Sequence, residues 1–164
     1  HCERNEVTLL VNPMALRHQR EQCVARKEFH QALGFGGDYH VIEDFVQGIK
    51  NNAGTVLVPD AGRIGGVTML ARTVELAKDA NLKVAPVVQA GPLSLLAVAR
   101  SLSGREQVLW VTSPNQEQWL KVDGVLKKPL RVMEGSLVGD SYEIDETKFQ
   151  VKRIAQLEIK TVEK

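Results

Sequence analysis

The chain has 164 residues, 43% of them hydrophobic, with 21 lysines and arginines against 20 aspartates and glutamates, a formal net charge of +1. That suffices for one compact domain with a small appendage, and so even a balance gives no argument for nucleic acid from net charge alone. No apolar stretch reaches the roughly 20 residues of a membrane span, HCERNEVT has no apolar signal-peptide core, and Cys2 and Cys23 lack metal spacing, so reduced thiols and a cytoplasmic location are expected.

Val7 to Val11 reads as a short buried strand that Asn12-Pro13 ends. From Met14 to Leu33 the pattern turns helical, with Leu16, Cys23, Val24 and Phe29 set among Arg17, Arg20, Glu21, Arg26 and Lys27, and Gly34, Gly36 and Gly37 stop it. In DYHVIEDFVQGIKNNAG the spacing of Val41, Ile42, Phe45, Val46 and Ile49 predicts a short amphipathic helix ended by Asn51, Asn52 and Gly54. A strand over Thr55 to Val58, a helix over Val67 to Ala80 and a strand over Lys83 to Val88 follow. The helix Leu93 to Leu102 leads into a strand, Val108 to Val111, with Trp110 read as a core residue.

Strands alternating with helices predict an α/β fold, a parallel sheet flanked by helices. After Ser113 the period becomes two, in WLKV, VLKK, LRVMEG and FQVKRIAQLEIKTV, and Asp123-Gly124 is a hairpin signal. The expected domains are therefore an α/β domain over 1–114 and an antiparallel β-rich appendage over 115–164. With no initiator methionine at His1, the expectation is a piece cut from a longer protein.

Phosphate chemistry is the first candidate, and GxxxxGK[ST] is absent. Gly62-Arg63-Ile64-Gly65-Gly66 precedes a helix and offers amides and Arg63 to an anion, or serves only as a tight turn. The strand TVLV ends in Pro59-Asp60-Ala61, where a working NTPase has a magnesium-holding aspartate and then a glutamate; proline binds no metal. Arg17, His18 and Arg20 follow a strand and turn and suit a nucleic-acid backbone, or a solvated helix face. Trp119 suits base stacking. Lys127, Lys128 and Arg131 form a basic cluster that meets phosphates or guards a sheet edge. His18, His30 and His40 lie too far apart for a local metal pair, and no nucleophile elbow is present.

Order and spacing together carry a resemblance. LLVNPMALR resembles motif Ia of superfamily 1, RecD-like helicases, and TVLVPDAGRIG resembles their Walker B strand, with Pro59-Asp60-Ala61 replacing Asp-Glu-Ala. The whole is similar to the inactive, vestigial helicase-like domain of F-type conjugative relaxase-helicases. That resemblance implies a RecA-like sheet without its P-loop, no cofactor and no catalysis. It also implies single-stranded DNA as partner, and recognition by the type IV secretion apparatus. On this reading Arg17, Arg20, Arg63, Trp119, Lys127, Lys128 and Arg131 are the nucleic-acid-binding residues. Two other classes stay open: a protein-interaction or assembly domain, and a small α/β enzyme that binds a nucleotide or anionic metabolite near Asn12-Pro13 and Asp60 to Gly66.

Overall fold

The computed structural model describes residues 32–113, 126–134, 136–137 and 143–147. The chain divides into two compact units, His1–Gln116 and Glu117–Lys164. In the first, β1 (Gly34–Phe35), β2 (Val56–Leu57) and β3 (Lys83–Val84) form a parallel sheet in that order. Gly34 is paired with Val56, and Val56 with Lys83. Parallel bridges carry the sheet further, Asp60 to Val87, Val84 to Val108 and Val87 to Thr112, so the segment 108–112 lies alongside β3.

Three helices connect these strands: α1 (Ile42–Lys50), α2 (Val67–Asp79) and α3 (Pro92–Leu102). Glu43 and Asp44 in the first turn of α1, and Lys50 in its last, complement the helix dipole. Leu70, Thr73, Val74 and Ala77 form the buried stripe of α2, and the buried Thr73 hydroxyl is satisfied by donating to the Met69 carbonyl at 3.0 Å. Pro92 opens α3, where a missing N–H costs nothing, and Leu95, Leu96, Val98 and Leu102 are buried.

One expectation fails at the start of the sheet. The predicted helix to Leu33 is replaced there by strand, because the Leu33 carbonyl accepts from Thr55 and Val56 and its N–H donates to Thr55 Oγ1. Gly34 is thus a strand residue, not a helix stop. Pairing with β2 overrides the local periodicity that favoured helix.

The sheet is buried on both faces. Val56, Val58 and Ala85 pack with Ala32 and Val87 on one. On the other, the Phe35 ring lies against Gly48 of α1, so close that a Cβ on Gly48 would come within 2.7 Å of it. Tyr39 packs edge-on against both Phe35 and Phe45, with ring centroids 6.4 and 5.0 Å apart. Gly48 therefore sets how closely α1 approaches the sheet.

In the second unit, β4 (Val132–Met133) and β5 (Ser136–Leu137) pair antiparallel, Leu126 bridges Ile144, and Leu126 and Leu130 are buried. The hairpin expected at Asp123-Gly124 lies outside the described residues. So do the strand expected at Val7 to Val11 and most of the helix expected after it. No described helix is long and apolar enough to cross a membrane.

Candidate functional site at the carboxyl ends of the strands

Parallel sheets bind ligands beyond the carboxyl ends of their strands, where loops and helix starts converge. In the first unit these ends lead into Gly36 to Val41, Pro59 to Gly66, Val88 to Gly91 and Ser113. Bridges from Asp60 to Val87 and from Val87 to Thr112 place those three residues in one row across the sheet. Burial falls along that row: Asp60 is buried, Val87 half-buried and Thr112 exposed.

Asp60 organises the loop after β2. Its side chain is only 5% exposed. Oδ1 accepts from the N–H groups of Gly62 at 2.8 Å and Arg63 at 3.3 Å, an Asx turn. The Asp60 carbonyl accepts from Ile64, and that of Ala61 from Gly66, so the loop is tied at each step. Gly65 and Gly66 have φ of 93° and 90°, a region open to glycine without strain, and lead directly into α2. Arg63 Nε lies 3.7 Å from Asp60 Oδ2, with the Arg63 side chain 43% exposed.

The segment 108–112 carries an extra residue. Val84 and Val87 are three positions apart, yet their partners Val108 and Thr112 are four apart, so a β-bulge lies within 109–111. A bulge re-aims the residues beyond it. Here it precedes Ser113, whose buried hydroxyl has no hydrogen-bond partner among the described residues. The bulge also corrects the reading of Trp110 as core: Leu109 and Trp110 are exposed, on a strand that no described strand pairs on its far side.

Of the residues expected at a nucleic-acid surface, Arg17, Arg20 and Trp119 lie outside the described residues. Arg63 is on the loop just described. Lys127 donates to Glu143 Oε2 at 2.9 Å, which holds the ammonium above its ordinary pKa and the Glu143 carboxyl below its own. Arg131 contacts the Met133 sulfur, and Lys128 is exposed. Sequence reasoning missed Asp60 as a turn anchor and Ser113 as a buried hydroxyl. The first had a signal, an aspartate two residues before a glycine in a strand-to-helix turn; the second had none.

A protein-family model, described as enolase C-terminal domain-like, matches residues 13–148. The chain belongs to that family. Solved structures agree in fold. An isomerase from Streptomyces coelicolor superposes with a TM-score of 0.75 at 15% identity, over 92% of this chain and 41% of that one. An enolase from Agrobacterium radiobacter, bound to sodium and L-malate, gives 0.72 at 14% identity, over 94% and 44%. L-talarate dehydratase from a Polaromonas species, complexed with magnesium and L-glucarate, gives 0.60 at 19% identity, over 82% and 35%. This chain thus spans between 35% and 44% of those chains. No curated protein matches the sequence.

These findings overturn the helicase resemblance. The matched region includes both LLVNPMALR from Pro13 onward and TVLVPDAGRIGG, the stretches that resembled motif Ia and Walker B. A strand, a tight turn and a helix recur in every parallel α/β fold, so their order does not separate a RecA-like sheet from an enolase-type one. Single-stranded DNA and the secretion apparatus fall with the resemblance, as does the expectation of a non-catalytic module, since the family matched over residues 13–148 is an enolase-type one. The parallel sheet with flanking helices stands.

Enolase-superfamily sites pair a lysine or histidine base with magnesium. The described strand ends do not fit the metal. Among the described residues no three His, Cys, Asp or Glu side chains converge. Asp60, the buried acid, already has its oxygens engaged by Gly62 and Arg63.

Proposed function

We propose that this chain is part of an enolase-superfamily enzyme that abstracts a proton beside the carboxylate of a small hydroxy acid. On this reading the loops after β1, β2, β3 and residue 112 form one wall of the pocket. The family match over residues 13–148 carries the reading. The substrate class is supported by the L-malate and L-glucarate bound in two structural relatives. Of the alternatives left open by the sequence, the α/β enzyme for an anionic metabolite is the one these findings favour.

The chain's own part is orientation. Arg63, exposed on the rim, meets the substrate carboxylate, and Gln89, exposed directly after Val88, and the Ser113 hydroxyl meet its hydroxyl groups. Of the described rim residues with the chemistry of a base, Asp38 and His40 are exposed, and the buried Asp60 is engaged by Gly62 and Arg63. The proton-transferring group therefore belongs outside the described rim. The boundary near 114/115 and cytoplasmic residence are parts of the same proposal, the latter supported by two cysteines without metal spacing.

The assay belongs on the full polypeptide that carries this chain. Proton NMR in D2O with malate, tartrate and glucarate is expected to show loss of a Cα–H signal from at least one acid. A folded protein that exchanges none of them sinks the proposal.

A further inference from the structure

Magnesium demands near-octahedral oxygen coordination and is usually held by one or two carboxylates with several waters. The four described strand ends offer Phe35-Gly36-Gly37, Pro59-Asp60, Val88-Gln89 and Thr112-Ser113. Phe35 is fully buried against Gly48, Gly36 and Gly37 carry no side chain, and Asp38 beyond them is a lone exposed carboxylate in the turn before α1. Pro59 and Val88 have no side-chain ligand atom. Gln89, Thr112 and Ser113 offer only neutral oxygens, and the geometry of Asp60, the buried carboxylate at these ends, points away from metal. Oδ1 is occupied by two backbone N–H donors, and a guanidinium nitrogen stands 3.7 Å from Oδ2, where a second positive charge would meet repulsion.

We infer that the described strand ends hold no divalent cation, and that Asp60 is committed to closing its own turn with Arg63 as its counter-charge. The inference deepens the proposed function and rests on it for the location of the site. Any cation used by the enzyme is then bound elsewhere, and this wall of the pocket meets an anionic substrate through Arg63 and neutral groups.

Electron paramagnetic resonance of free Mn2+ tests this on the protein and on Asp60→Asn and Asp60→Ala. The amide oxygen of Asp60→Asn still accepts from Gly62 and Arg63 but lacks the charge a cation needs; Asp60→Ala lacks both. Equal Mn2+ binding in all three proteins, including none in any, is expected, with a lowered melting temperature in Asp60→Ala alone. A tenfold or greater loss of Mn2+ affinity in Asp60→Asn overturns the inference. Should the variants not fold, substoichiometric Mn2+ added to the unmodified protein decides: unbroadened Gly62 and Arg63 amide signals support it, and selective broadening overturns it. Because no substrate is present, an absence of hydroxy-acid exchange counts against the proposed function and leaves this result standing.

Discussion

The two units of the chain are held together by different means. The first is built on fully buried side chains, among them Phe35, Phe45, Leu57, Leu70 and Val84. The second, in its described part, has Leu126 and Leu130 buried, but both residues of β4 exposed and a solvent-facing Lys127–Glu143 pair. Burial acts on every strand of the first unit at once and fixes the relative positions of the strand ends. Surface pairs act one at a time and are screened. A site that needs several loops in register is therefore expected on the first.

The contrast is open to attack by substitution. Phe35→Ala strikes the first unit hardest, with an expected loss of about 3–5 kcal/mol by urea denaturation; a loss under about 1 kcal/mol would remove the basis of the comparison. Gly48→Val drives a side chain into the Phe35 ring and is expected to cost about 1–3 kcal/mol from overpacking, read from the same midpoints. Asp60→Ala leaves the Gly62 N–H without its acceptor, while the Arg63 N–H keeps the Asp60 carbonyl, and is expected to cost about 1–3 kcal/mol, whereas Asp60→Asn stays near the parent in a thermal melt. Arg63→Ala leaves the fold in place and raises KM for the hydroxy acid about tenfold, equivalent to about 1.4 kcal/mol, with kcat less affected.

The smallest effect is expected in the second unit. Lys127→Met is expected to leave the denaturation midpoint unchanged, since the pair is exposed. Its pH dependence has a definite sign. Glu143 is lowered by its hydrogen bond from Lys127, so its contribution is present above the ordinary 4.5 and fades as pH falls through the folded value. Lys127 is raised by the same bond, so its contribution is present below the ordinary 10.5 and fades as pH rises through the folded value. Chemical denaturation across pH is expected to be flat between those limits in this respect, in the parent and in Lys127→Met alike.

Much of the α/β layout was legible in the sequence, for a physical reason. The stripe Leu70, Val74, Ala77 repeats at helical spacing, and Pro92 and Gly66 mark helix starts, so α2 and α3 fall where periodicity and capping place them. Leu33 to Phe35 was misread because its neighbours in sequence are helical in pattern, while its partners in β2 lie some twenty residues away. Trp110 was misread because a one-residue bulge leaves no trace in composition. Asp60 was seen, but in the place of the glutamate that follows a magnesium-holding aspartate. Its hydrogen bonds to Gly62 and Arg63 give it a local task that a strand-end acid in any α/β protein can perform. Ser113 looked like a boundary residue because burial of a hydroxyl depends on what surrounds it, which the chain order does not state.

The bulged strand has a practical consequence. Trp110 sits 45% exposed on a segment whose far side no described strand pairs, so its indole is a built-in optical reporter of whatever covers that edge. With Trp119 replaced by phenylalanine, its emission is expected to be quenched by iodide in the bare chain. Addition of a polypeptide that lays a strand along 108–112 would shield it and shift its emission to the blue. Exposed Leu109 and Trp110, on a segment whose far side no described strand pairs, also make concentration a variable to watch, because such an edge favours self-association.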